Sequence, residues 1–498
     1  MQAYQSQAKT PLLDALRECA NKHHAPFYAP GHKRGQGIPQ QLADCFGSAV
    51  FRADLPELPE LDNLFAPQGV IQEAQQLAAA AFGAEHTWFL VNGSTCGVEA
   101  AILATCGTGD KIILPRNVHQ SAIAGLILSG AIPVFVNPEY DPVLDIAHSI
   151  TPGAVADALE QHPDAKAVMM VYPTYYGVCG DVAAIATLAH QYNIPLLVDE
   201  AHGSHFAFHP DLPTPALAAE ADLTVQSIHK VLGAMTQASM LHVQSRRIDI
   251  DRVSKSLQLI QSTSPSYLLL ASLDAARQQM ALQGEQLMSR TLHLADVART
   301  QISQIPGLSV LQPVGAIHAP LQTPGFIALD RTRLTVTVSG LGLTGFEADE
   351  ILAQNCVIAE LPSFQHLTFI ITLGNTEADI ERLVQAFTTL SKEYIRSIRP
   401  IEASGCAAVP HLNNISQKSP ISPREAFFCQ TETLPIEQTS DRISAELICP
   451  YPPGIPVLMP GEVITLSALD YLQQIQAMGG FISGCADPSL RTLKVVKE

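Results

Sequence analysis

The chain has 498 residues, 47% of them apolar, enough for a large buried core and, by length, about three domains. Its net charge of −18 comes from 29 basic against 47 acidic residues, with no stripe of Lys or Arg to track phosphates, which argues against a nucleic-acid partner. MQAYQSQAKT carries no basic flank before an apolar core, no apolar run is long enough to span a bilayer, and ten cysteines fall without a CxxC pair; the expectation is a cytoplasmic protein with reduced thiols, no membrane contact and no zinc site.

In chain order, short apolar runs alternate with helical patterns. TWFLV (Thr87 to Val91), KIILP (Lys111 to Pro115), IPVFV (Ile132 to Val136), AVMMVYP (Ala167 to Pro173), PLLVDE (Pro195 to Glu200) and LTVQSIHK (Leu223 to Lys230) read as buried strands. The stretch from Ala122 to Val136, cut by Gly125, Ser129, Gly130 and Pro133, reads as a helix followed by a strand. The spacing leaves room for crossover helices and predicts an α/β layer with a mostly parallel sheet, whose ligands gather at the strand carboxyl ends. Beyond Gln283 the texture changes to isolated strands, GFIALD, LTVTVS and LTFIITL, with helices between, as in a smaller α+β domain. The segment 399–423 is rich in Pro, Ser, Ala and Asn and reads as a linker to a last region, 424–498, which holds the loop YPPGIPVLMPGE. The expected division is an N-terminal arm over 1–62, a large domain over 63–283, a small domain over 284–398, the linker, and the C-terminal domain.

The chemistry concentrates at the strand ends. VDEAHG places Asp199, Ala201 and His202 at one of them, and SIHK places Lys230 at the next. A lysine that forms a Schiff base, with an acid to keep a pyridine nitrogen protonated, is the equipment for holding pyridoxal phosphate, which takes up electrons when a bond at an α-carbon breaks. NGSTCG follows the first strand and opens a helix, so Ser94 and Thr95 either cap that helix in the ordinary way or offer hydroxyls and amides to a phosphate. Ser227 adds a third hydroxyl near the lysine. His119, in PRNVHQS, reads either as a loop residue or as a ring stacked on the pyridine face.

Taken together the segments resemble the Orn/Lys/Arg decarboxylases, fold type I pyridoxal-phosphate enzymes. The resemblance runs from FYAPGHKRG through LPELPELDNLFAPQGVI, NGSTCG, PRNVHQS, VYPTYYG, VDEAHGSH, SIHK and TSPSYLLLASLD to PREAFF and RISAELICPYPPGIPVLMPGE. It implies an aspartate-aminotransferase-like large domain and a C-terminal decarboxylase domain. It implies Lys230 as the Schiff-base lysine, Asp199 as the ring-nitrogen partner, His119 as the stacking residue, and Ser94, Thr95 and Ser227 as phosphate ligands. Ala201 then packs on the ring, while His202 and His229 lie beside the cofactor or the substrate carboxylate. The implied reaction is decarboxylation of a basic amino acid in polyamine metabolism, arginine before lysine or ornithine, by a homodimer or higher homo-oligomer of the short form without an N-terminal wing domain. In LDNLFAPQG, Phe65 stands where relatives often have His, so that residue's role does not transfer.

A basic substrate needs a carboxylate against its distal cation, because an unpaired buried cation is costly. Glu360, at the end of CVIAELPSF, is the candidate where the resemblance places an acid, the alternative being a surface Glu that closes a strand; Tyr451 of YPPG is a second pocket candidate. Three other readings stay open. GLGLTG (Gly340 to Gly345) formally matches GxGxxG, with Glu360 suitably spaced to meet a ribose, which would make the chain a dinucleotide-dependent oxidoreductase. His202, His205 and His209 have spacings seen in metal sites, but Pro210 favours a loop, and no metal is expected. A non-catalytic cofactor-binding relative is the third.

Overall fold

The apolar runs of the central region fold as strands: β1 (His86–Leu90), β2 (Lys111–Pro115), β3 (Ile132–Val136), β4 (Ala167–Val171), β5 (Leu196–Asp199) and β6 (Leu223–Gln226), followed by β7 (Ser239–Val243), which the apolar pattern did not mark. The computed structural model describes residues 7–315, 324–395, 419–451, 455–477 and 479–497, with Tyr451 described in its backbone alone. It divides into two units, residues up to Ala104 with Leu197–Ser289, and Thr105–Leu196 with the chain from Arg290 onward.

In the first unit the strands lie in the order β1, β7, β6, β5. β7 is antiparallel to both neighbours, with Leu241 opposite Trp88 and Val225, while β5 and β6 run parallel with Asp199 opposite Val225. In the second unit β2 lies between β3 and β4 and is parallel to both, Ile113 facing Val134 and Val168. The class is therefore α/β with mostly parallel strands, β7 being the antiparallel member. β5 and β6 are buried at every position: β5 is apolar up to Asp199, while β6 alternates the apolar Leu223 and Val225 with the buried polar Thr224 and Gln226.

Helix α1 (Gly93–Thr105) leaves β1 through a turn at Gly93, whose φ of 76° favours glycine. A Cβ on Gly97 would stand 2.6 Å from Val225 Cγ1 and 2.7 Å from Leu90 Cδ1, so α1 lies directly on β1 and β6. The expected strand LTVQSIHK stops at Gln226, because Ser227 takes up an N-cap position and the next four residues wind into the single turn α2 (Ile228–Val231). The 37-residue helix Tyr267–Ser303 runs unbroken past Gln283, so the expected edge of the large domain falls inside it.

In the second unit the stretch from Ala122 to Val136 holds a helix, Gln120–Ser129, and then β3. Farther on, Arg333–Thr337 and His366–Ile370 pair antiparallel within a four-stranded sheet, under a core that includes Leu334, Val336, Leu352, Phe369 and Phe387. GFIALD does not join that sheet. It supplies two strand residues, Ala328–Leu329, paired with Val178–Cys179, and then turns at Asp330, whose Oδ1 accepts the Thr332 N–H (3.0 Å) and hydroxyl (2.7 Å).

The dinucleotide reading of GLGLTG is overturned. The strand before it is antiparallel to its neighbours, with no parallel βαβ unit, and the glycines serve close packing: a Cβ on Gly340 would lie 2.6 Å from Gly307 O, and one on Gly345 would lie 2.2 Å from His366 O. The helix that follows, Gly345–Gln354, starts with a Thr344–Glu347 capping box.

The linker expected over 399–423 lies for the most part outside the described residues. The C-terminal region packs its own core of Ile448, Leu458, Ile464, Leu472 and Val495. It is also tied to the loop after β2: the buried Arg116 donates to Pro456 O (2.9 Å), Val457 O (3.1 Å) and Glu462 Oε2 (3.1 Å). In return Arg424 donates to the carbonyls of Ile127 and Leu128 at the end of the Gln120–Ser129 helix, both at 2.9 Å. Among the described residues no helix is long and apolar enough to cross a membrane.

Candidate active site

The carboxyl ends of β5 and β6 collect most of the residues singled out above, all in the first unit. Asp199 closes β5 as a buried carboxylate, its Oδ1 accepting the Ala201 N–H at 3.2 Å, and no cation among the described residues pairs with it. The chain then turns, Gly203 N–H bonding Glu200 O at 2.9 Å, which brings His202 back to meet Lys230: Nζ donates to His202 Nε2 at 2.9 Å. With Lys230 as an ammonium donor, His202 Nε2 is the acceptor of that bond.

Lys230 sits on α2, one turn from Ser227, whose carbonyl accepts the Lys230 N–H at 3.2 Å. The Ser227 hydroxyl donates to Ser94 Oγ at 2.8 Å, joining the α2 turn to the start of α1. There a helix N-terminus, two convergent hydroxyls and a glycine turn form the kind of cradle that backbone amides offer an anion. Thr95 stands exposed one residue on. His229, next to the lysine, is half-buried; burial, aided by the positive charge of Lys230, holds its pKa below the usual histidine value, so it stays neutral at neutral pH. A buried unpaired carboxylate, a lysine and a hydroxyl-lined helix start suit the pyridine nitrogen, aldehyde and phosphate of pyridoxal phosphate.

Behind these residues runs a chain of buried polar groups that the motif reading did not anticipate. Gln226 Nε2 donates to Glu200 Oε2 (2.8 Å) and Ala216 N–H to Glu200 Oε1 (2.8 Å); His242 links Gln226 Oε1 (3.2 Å) to Thr87 Oγ1 (2.7 Å). Burial pushes the Glu200 carboxyl up to about 7 and the His242 imidazole down to about 3. With His242 neutral and Gln226 donating to Glu200, the partners assign its proton to Nε2.

A raised carboxyl pKa has a definite sign in stability. The unfolded chain ionises Glu200 near its ordinary value while the folded protein holds the proton until about 7, so this group's contribution is full at low pH and is lost as pH rises through that window. The Glu200→Gln variant has no such proton. Its melting temperature relative to wild type should rise from about pH 5 to about pH 8, by the equivalent of ~3 kcal/mol. Parallel melting curves across that range would refute the shift.

In the second unit His119 caps the Gln120–Ser129 helix, its Nδ1 accepting from Ser121 N–H (3.2 Å) and lying 2.9 Å from Ser121 Oγ. Glu360 is exposed and accepts the Tyr175 hydroxyl at 2.9 Å, with the buried Arg333 close enough for its charge to be felt. Burial lowers the Arg333 pKa, with Asp330 and Glu360 opposing that shift. Neither Tyr175 nor Arg333 stood out in the sequence. The Tyr451 side chain lies outside the described residues.

Comparison with known proteins agrees with the geometry. Residues 10–379 match the model for the Orn/Lys/Arg decarboxylase major domain and 412–486 that for its C-terminal domain. An arginine decarboxylase of Bacillus subtilis is 39% identical, over 99% of both chains. One of Halalkalibacterium halodurans is 41% identical, over 99% of this chain and 98% of that one. The crystal structure of a Francisella novicida lysine decarboxylase, 21% identical, superposes with a TM-score of 0.84 over 99% of this chain and 82% of that one, and so has the same fold. That fold is the α/β architecture of the fold type I enzymes. The chain belongs to the Orn/Lys/Arg decarboxylase family and is an amino-acid decarboxylase.

Proposed function

We propose that the protein decarboxylates a basic amino acid with pyridoxal phosphate as cofactor, arginine to agmatine ahead of lysine or ornithine. The observation that carries the reading is the 2.9 Å bond from Lys230 Nζ to His202 Nε2 at the same strand ends as the buried Asp199. Family membership supports the reaction type, and the two relatives named arginine decarboxylases support the order of substrates. A cytoplasmic homodimer with a place in polyamine metabolism belongs to the same proposal.

When bound, pyridoxal phosphate supplies an electron sink for the pair released as the bond to the α-carboxylate breaks. Lys230 would hold the cofactor through Nζ, and His202 Nε2, 2.9 Å away, is placed to accept the proton that the ammonium must lose before it acts as a nucleophile. Asp199 would meet the ring nitrogen with an anion, from a buried place where its field is little screened. Ser94, Thr95, Ser227 and the first amides of α1 would hold the phosphate and Ala201 would pack on the ring, with His119 the stacking residue that the family resemblance implies. The neutral His229 lies beside the substrate carboxylate.

Purified protein given arginine, lysine and ornithine in turn should release agmatine fastest, and borohydride treatment should abolish the activity. No amine from any of the three would overturn the proposal.

Glu360 is assigned to the substrate's distal cation, with Tyr175 orienting its carboxylate. Glu360→Gln keeps size and hydrogen bonding but removes the charge, so kcat/KM for the preferred basic substrate should fall by at least about tenfold, with the cofactor spectrum unchanged. Equal kcat/KM values for all three amino acids in variant and wild type would assign the pocket to another acid.

A further inference from the structure

Glu200 sits in the middle of VDEAHG yet has no part in the chemistry above. It is fully buried, and no cation among the described residues pairs with it. Stability alone would be better served by an apolar pair at this place, since a buried carboxylate without a counter-charge opposes folding. What the carboxylate provides is direction. Both its oxygens accept, one from the Ala216 N–H and one from Gln226 Nε2, each at 2.8 Å.

The placement of that second bond matters. Glu200 follows Asp199 immediately, and Gln226 immediately precedes Ser227, the start of the turn that ends at Lys230. Neighbours in extended chain project to opposite sides. The Glu200–Gln226 bond therefore ties β5 to β6 behind the point where Asp199, Ser227 and Lys230 emerge, and the Glu200 N–H extends the same ladder to Val225 O at 2.9 Å. Farther back, the His242 ring bonds Gln226 Oε1 and stacks on Phe82 with centroids 4.9 Å apart, so Gln226 is held from both ends.

We propose that Glu200 and Gln226 are a positioning pair for the cofactor site, their buried hydrogen bond setting the spacing between the strand end that bears Asp199 and the turn that bears Ser227 and Lys230. The proposal rests on the reading of those three residues as cofactor-holding. Neither member of the pair touches cofactor or substrate; both act through their chain neighbours.

The test is cofactor affinity, measured by absorbance titration after the holoenzyme has been stripped and refilled. Glu200→Ala leaves the Ala216 N–H and the Gln226 amide without acceptors, and the cofactor dissociation constant should rise by about tenfold or more, with kcat falling and KM for the amino acid little changed. Glu200→Gln should stay within about threefold of wild type, because its amide accepts from Ala216 through Oε1 and donates to Gln226 once that side chain turns over and the His242 proton moves from Nε2 to Nδ1, where Thr87 Oγ1 accepts it. Gln226→Met cuts the same bond from the other strand at similar volume and replaces Glu200→Ala if the latter does not fold. A folded Glu200→Ala or Gln226→Met variant with wild-type cofactor affinity overturns the pair, as does a Glu200→Gln variant as impaired as Glu200→Ala. Failure of the underlying reading shows separately, as a Lys230→Ala protein that keeps its covalent cofactor.

Discussion

Lys230→Ala is expected to lose the visible absorbance of the lysine-bound cofactor and to lower kcat by at least about a thousandfold, as removal of a covalent catalyst does. The geometry gives the reason. Nζ is held at 2.9 Å from an acceptor nitrogen, and among the described residues no second lysine lies on the strand ends that carry Asp199 and Ser227. Borohydride followed by peptide mapping should fix the cofactor to residue 230 in wild type and leave the variant unlabelled. The fold should be untouched, because the alanine removes a half-exposed side chain from a single-turn helix. A variant that retains both the absorbance and the turnover would mean that another nucleophile holds the cofactor.

Asp199→Asn should reduce kcat by about a hundredfold to a thousandfold, the usual effect of deleting one preorganised electrostatic partner from a buried site. Asparagine keeps the shape, and its carbonyl oxygen can still accept the Ala201 N–H that Asp199 accepts at 3.2 Å. What disappears is the anion. Since that anion is buried and no described cation forms an ion pair with it, its removal should leave the melting temperature of the cofactor-free protein unchanged or slightly raised. Near-normal turnover in the variant would mean that a different acid meets the ring nitrogen.

β2, β4 and β5 were legible because nearly every position is buried and they appear as apolar runs, whereas β3 was legible from its Ile, Val and Phe content although only Val136 is buried. β7 was not, because SMLHV places Ser239 and His242 inside the sheet, and a polar residue satisfied by Gln226 and Thr87 has no signature in hydropathy. SIHK read as strand because nothing in local periodicity separates the last extended residue from an N-cap serine. GLGLTG matched a fingerprint whose meaning depends on a parallel βαβ setting, which is decided by strand pairing far along the chain.

At the site, motif order sufficed to pick out Asp199, His202 and Lys230 as candidates, but not the bond between His202 and Lys230, which depends on how two strand ends turn. Glu200 was passed over for the same reason. Its position beside Asp199 is plain in the sequence, while the inward face it occupies is fixed only by the register of β5 on β6. Arg333 escaped notice because a charge at the start of a strand ordinarily reads as surface, whereas this guanidinium is buried among Asp330, Tyr175 and Glu360.

The ion pair between Arg116 and Glu462, each almost wholly buried, bears on how such a chain can be inherited. A recombination event that exchanged the last eighty or so residues for a foreign module would strand the Arg116 guanidinium in the interior, at roughly 3–5 kcal/mol, a large share of the ~5–15 kcal/mol that holds a typical domain folded. The newcomer would need a carboxylate where Glu462 stands, carbonyls where Pro456 and Val457 turn, and a cation to reach Ile127 and Leu128 as Arg424 does. Shuffling at that seam is thus selected against long before any effect on chemistry is felt, and the two segments are expected to descend together as one evolutionary block.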